Sequence, residues 1–163
     1  MSSGDVLVAE HQGGHLLKFN GDIRVNLCGS LDAHIEKIVS YKCIDDVMID
    51  LLNADGLDST ALGLLAKLSI HCQRDRGFTV KVFCNNVNIL RVFEAMGFHE
   101  IFTISSKASD SKMNAMLEVL EINSLPMSEI RHQVLDAHQT LAKLSPANDR
   151  EFGDLIAALK SDH

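Results

Sequence analysis

The chain has 163 residues, 46% of them hydrophobic and 23% charged, which is the length of one ordinary domain with a modest extension and excludes a disordered chain. Its formal net charge of -7 at pH 7 repels nucleic acid and anionic membrane surfaces, and the densest basic group, Arg74, Arg76 and Lys81, has Asp75 in its middle. No nucleic-acid or membrane partner is therefore expected, and no apolar run is long enough to span a bilayer.

The start, Met1-Ser2-Ser3-Gly4-Asp5, lacks the basic and apolar stretches of a signal peptide. The four cysteines, Cys28, Cys43, Cys72 and Cys84, form no Cys-x-x-Cys pair and sit among apolar neighbours. They fit reduced, mostly buried thiols, and the cytoplasm is the expected location.

In chain order, residues 5–9 contain Val6, Leu7 and Val8 and predict a short strand. Gly13-Gly14 signals a hairpin turn, with residues 15–19 returning. Asn20-Gly21-Asp22 should break that strand, and residues 23–27 continue it or form a bulged second piece. Residues 31–41 carry Ile35, Ile38 and Val39 on one helical stripe. Val47-Met48-Ile49, flanked by Asp45, Asp46 and Asp50, fits a buried central strand. After Asp55-Gly56-Leu57-Asp58, the positions of Ala61, Leu64, Leu65, Leu68 and Cys72 mark one face of a helix that Gly77 stops. Val80, Val82 and Phe83 form the next strand, residues 88–96 a shorter helix closed by Gly97, and residues 101–104 a last strand. Strands alternating with helices imply parallel pairing through right-handed crossovers, in a domain ending near Ser105.

Residues 105–110 are polar, and all that follows is helical in pattern. Met113, Met116, Leu117 and Leu120 share a stripe. Pro126 can open a second helix, in which Met127, Ile130, Val134, Ala137, Leu141 and Leu144 form a seam in steps of three and four. Ser145-Pro146 ends it, Asn148-x-x-Glu151 resembles a capping box, and Phe152, Leu155, Ile156 and Leu159 make a final amphipathic helix. The helices either pack on the domain or on one another, or offer a partner or homodimer surface through residues 126–145.

Phosphate-binding glycine loops, the Gly-x-Ser-x-Gly elbow and His-Glu-x-x-His are all absent, so the chain reads as a non-catalytic regulator rather than an enzyme. The eight histidines are scattered, and His34, His71 and His138 lie far apart on predicted helices, so a zinc site requires convergence in space. Asp45, Asp46, Asp50, Asp55 and Asp58 allow a Mg²⁺ cluster or, more simply, solvated strand ends and a helix cap. Asp58 suits the cap. Ser59 then stands in the first turn, where a phosphate would add a charge of about -1.5 to -2 beside Asp55 and Asp58 without clashing with the helix dipole. Leu62, off the apolar stripe, would be an exposed contact beside it.

The run Val47-Met48-Ile49-Asp50 … Leu57-Asp58-Ser59-Thr60-Ala61-Leu62-Gly63 resembles the signature of STAS domains, and more narrowly of bacterial anti-sigma factor antagonists. Phe19-Asn20-Gly21-Asp22-Ile23, residues 88–98 ending in Met96-Gly97-Phe98, and Ile101-Phe102 support it. The likeness covers about residues 5–105. It implies an α/β fold with a STAS-like mixed sheet of about four to five strands and helices packed on it. The STAS domain would occupy residues 1–105 and an all-α C-terminal extension residues 106–163. It further implies that Ser59, or in second place Thr60, accepts phosphate from an anti-sigma factor that is also a serine kinase of the GHKL ATPase type. A PP2C-type phosphatase removes the phosphate, and the unmodified form binds the anti-sigma factor and frees the sigma factor. Asp22, Asp58, Ser59, Thr60 and Leu62 would meet that partner. No cofactor or metal is implied. Ala61 stands where the family usually has glycine, and Arg24 where many members are acidic. Two other roles suit the chain: a STAS regulatory subunit of a transporter or sensory scaffold, and a small-molecule or nucleotide-binding sensor.

Overall fold

The computed structural model describes residues 4–108 and 110–161; Met1-Ser2-Ser3 and Ser109 of the polar linker lie outside the described residues. Strands β1 (Asp5–His11) and β2 (Gly14–Ile23) form an antiparallel hairpin. Its turn has positive φ at both Gln12 and Gly13, the two-residue geometry whose twist suits a hairpin. Helix α1 (Val25–Ser40) leads to β3 (Asp46–Leu57), helix α2 (Ser59–His71) to β4 (Val80–Phe83), and helix α3 (Val87–Met96) to β5 (Phe102–Ser105). A short strand β6 (Glu118–Val119) and helices α4 (Met127–Ala142) and α5 (Pro146–Ser161) complete the chain.

The six strands lie in the order β5-β4-β3-β2-β1-β6. β2 to β5 pair in parallel, as the strand-helix alternation requires, and β1 is antiparallel to both its neighbours. One face carries Leu17, Phe19, Val47, Ile49, Leu51, Val80 and Val82 against the helices. The opposite face buries only a small cluster of Ala9, Leu16, Met48 and Met113.

Four local expectations are corrected. β2 does not break at Asn20-Gly21-Asp22; it bends there, through register shifts against β3 and a positive φ at Gly21. α1 starts at Val25, six positions before the apolar stripe suggested, because later chain covers its first turns. Leu125 lies against Gly29, and Ser30 Oγ accepts from the Asn123 N–H at 2.9 Å. The segment after Ser105 is not all helix. Its apolar residues serve the sheet instead: Met113 and Leu117 pack on the sparse face, β6 pairs with β1, and Leu120 N–H donates to Val6 O at 2.8 Å. The sheet therefore has six strands, and its last one comes from beyond the boundary drawn at residue 105. Finally, α5 begins at Pro146, not at Asn148. Ser145 Oγ accepts from Asn148 N–H at 3.1 Å, and Asn148 is buried, its amide donating to Met96 O and Leu141 O at 2.9 Å each.

Two members of the basic group serve the structure. Arg76, in the π-helical turn Cys72–Arg76 that ends α2, donates to the carbonyls of Val39, Tyr41 and Lys42 and so closes the end of α1. Lys81 pairs with Asp46 at 3.7 Å. Among the described residues no helix is long and apolar enough to cross a membrane.

Cys28, Cys72 and Cys84 are buried and Cys43 is exposed. Burial pushes the Cys28 thiol up to about 12 and Cys72 to about 11, and raises Cys84. A thiol reagent should thus modify Cys43 rapidly and the other three only on unfolding. In the unfolded chain these thiols ionise near their ordinary value of 9.0, so their linkage leaves stability unchanged below that pH. Between pH 9 and about 12, Cys28 alone should lower stability by about 1.4 kcal/mol per pH unit, which denaturation at stepped pH would measure.

Candidate functional site

The site forms where β2 and β3 end side by side. Asp22 pairs in register with Gly56 and Ile23 with Leu57, and Asp58 N–H donates to Ile23 O at 3.0 Å. Asp22 is thereby brought to the loop that opens α2, and its carboxylate holds Arg24 Nε at 2.6 Å on the surface. The positive charge of Arg24 is therefore balanced by its neighbour.

Asp58 is the N-cap. Its backbone is extended, and its Oδ1 accepts from the Ala61 N–H at 2.9 Å. That bond satisfies one of the free donors of the first turn, an interaction typically worth about 1 kcal/mol. Ser59 follows as the first helical residue and is half-buried. Its Oγ lies 2.7 Å from His138 Nε2, from α4. His138 Nδ1 lies 2.6 Å from Val134 O, and a carbonyl only accepts, so Nδ1 carries the proton. In the neutral ring Nε2 is then the acceptor and the Ser59 hydroxyl the donor. The ring of Phe152, from α5, stands edge-on to the imidazole with centroids 5.2 Å apart. Sequence reasoning placed His138 on a helix but not here; 79 residues separate the pair, and no local pattern links them.

Thr60 and Leu62 are 4% and 3% exposed, so the expected exposed contact at Leu62 is corrected. The apolar stripe of α2 faces the sheet, but the opposite side is covered too, by α4. A helix apolar nearly all round is a buried helix, and Thr60, Leu62, Gly63 and Ala66 confirm it here. Gly63 marks the closest approach: a Cβ there would collide with the carbonyl oxygen of Ala137. Two of the six residues of the predicted α4 seam are buried. Ala137 and Leu141 are buried, while Met127 stays 69% exposed. Lys67 adds a polar tie, its ammonium 2.6 Å from Glu36 and 3.3 Å from Asp32 of α1 and 3.5 Å from Asp136 of α4. Burial disfavours its charge, but the Glu36 hydrogen bond and the three carboxylates outweigh it and hold Lys67 above its ordinary value.

Leu62 nonetheless reaches the floor of a cleft of about 120 Å³ beside the loop, lined also by Asp55, Gly56, Leu57, Ile89 and Val92. Val92 and the neighbouring Val87 are 38% and 60% exposed. The acidic residues do not converge. Asp46 pairs with Lys81, Asp50 is buried and accepts from Leu52 N–H, and Asp58 caps α2. Among the described residues no group of three or more His, Cys, Asp or Glu could hold a metal ion.

The family model for the STAS domain matches residues 6–111. The chain belongs to the STAS domain family. Its fold is similar to that of an anti-sigma factor antagonist from Mycobacterium paratuberculosis, at 23% identity and a TM-score of 0.53, over 66% of this chain and 90% of that one. It is also similar to the anti-sigma factor antagonist SpoIIAA in its unphosphorylated form, at 9% identity and a TM-score of 0.56, over 68% and 96%. The phosphorylated form of the Bacillus cell fate determinant SpoIIAA gives 11% and 0.53 over the same shares. None of the curated proteins compared with the chain matches it.

Proposed function

We propose that the chain is an anti-sigma factor antagonist that switches partners through phosphorylation of Ser59. Unmodified, it binds an anti-sigma factor that is a serine kinase of the GHKL type, in the cytoplasm, and so frees a sigma factor. Phosphorylated, it lets that partner go, and a PP2C-type phosphatase resets it. The observation that carries this reading is the placement of Ser59, as the first residue of α2 directly after a capping aspartate, within a STAS fold. Thr60, one residue on, is 4% exposed, which favours Ser59 over it as the acceptor.

The physical case has two parts. Free N–H groups at the start of α2 tolerate a phosphate, so the fold survives modification. The surface becomes more negative locally, because about -1.5 to -2 charges join Asp55 and the capping Asp58 beside an apolar cleft. A partner whose apolar side chain enters between Leu57 and Val92 meets, once Ser59 is phosphorylated, a strongly charged and hydrated group at the rim where a neutral hydroxyl stood. The cleft is far below the roughly 300–1,000 Å³ of small-molecule sites, so beside Ser59 it suits a partner's side chain rather than a bound small molecule.

Ser59→Ala and Ser59→Glu should act oppositely in a pull-down against the kinase. Ser59→Ala should retain it persistently, whereas Ser59→Glu should retain about tenfold less or lower, since a buried like-charge mismatch of only 1.4 kcal/mol gives that factor. Equal retention by the two variants would end the proposal.

A further inference from the structure

The C-terminal helices of the chain reach the residue on which the proposed switch turns. His138 is 2% exposed and both its ring nitrogens are engaged, Nε2 by Ser59 at 2.7 Å and Nδ1 by Val134 O at 2.6 Å, with the ring of Phe152 packed against the imidazole. Beyond it, α4 touches α2 at Gly63 with no space for a methyl group. The docked helix thus leaves no room on the His138 side for three phosphoryl oxygens.

A phosphate on Ser59 therefore has two courses. It can keep the present side-chain direction and displace the imidazole, or rotate toward the loop and leave Nε2 buried without a donor. A dianionic phosphate carries no proton with which to replace the O–H donor to a neutral ring. Both courses remove what the free hydroxyl supplies to the α2–α4 interface.

We propose that the docking of α4 reads the modification state of Ser59: the unmodified hydroxyl holds α4 against α2 through His138, and phosphate releases α4 together with α5. The switch then changes the shape of the chain as well as its charge, uncovering the faces of Gly63, Ala66, Ala137 and Leu141. This deepens the function proposed above and rests on it only for its use in the cell.

The test installs phosphoserine at position 59 of the full chain by genetic encoding and follows amide hydrogen exchange. Amides 134–142 should exchange about tenfold or more faster than in the unmodified chain, the factor expected for one lost buried hydrogen bond, while β2 and β3 stay unchanged. Ser59→Glu should show the same selective loss, about threefold or more. Unchanged exchange in α4 overturns the proposal. So does slower exchange, the mark of an imidazolium clamped on the phosphate, and so does an acceleration shared equally by the sheet. The two readings fail separately. If native chain never carries phosphate on Ser59 yet the installed group frees α4, the partner-switching function falls and the coupling stands.

Discussion

Gly63→Leu should free α4 and α5 from α2 while the sheet stays folded, at a cost of about 3 kcal/mol. A Cβ at position 63 would lie 2.7 Å from both the carbonyl carbon and the Cβ of Ala137, and closer still to the carbonyl oxygen. Those are main-chain and Cα-bound atoms of a regular helix, so no side-chain rotation relieves the overlap. Close-packed interiors transmit such a clash to the whole element. Helix α4 must move, and it carries Asp136 away from Lys67 and His138 away from Ser59. Urea denaturation would give the energy, and limited proteolysis would show residues 127–161 cut first. A Gly63→Leu chain as stable and as protected as the parent would contradict the packing described.

Phe98→Ala should destabilise the chain by about 3–5 kcal/mol, which corresponds to roughly a 10 °C fall in Tm for a chain of this size. Phe98 has 0% exposure and follows the Gly97 that ends α3. Its ring lies 4.9 Å from Phe93 and 5.2 Å from Phe102, centroid to centroid, so it joins α3 to β5. Truncation leaves a cavity lined by rings that cannot collapse into it. The effect extends to the cleft, because Ile89 and Val92 on α3 form its wall. Partner binding should weaken together with stability. Val92→Ala separates the two: at 38% exposure it should alter stability by no more than about 0.5 kcal/mol while still weakening binding.

Where side chains repeat with the period of their element, the sequence was a sufficient guide. The apolar residues of β1, the apolar run of β3, and the stripe and Gly77 stop of α2 are legible in local patterning, as is the Asp58 cap. Parallel pairing followed from the order of elements. Three of the failures share one cause, which is contact across long separations. Val25 is helical because residues 123–125 shelter its helix, β6 exists because β1 has a free edge to pair, and Leu62 is buried beside the α3 residues Ile89 and Val92. The same limit applies to the site. Asp58 and Ser59 were legible as neighbours in a motif, whereas His138 belongs to the site only through the packing of helices that the motif does not describe.

The Ser59 claim is tested most directly by mass spectrometry of the chain isolated from its native cells with phosphatases inhibited. The account predicts a singly phosphorylated fraction with the phosphate on Ser59. A chain without phosphate under every growth condition, or with phosphate on Thr60 alone, would contradict it.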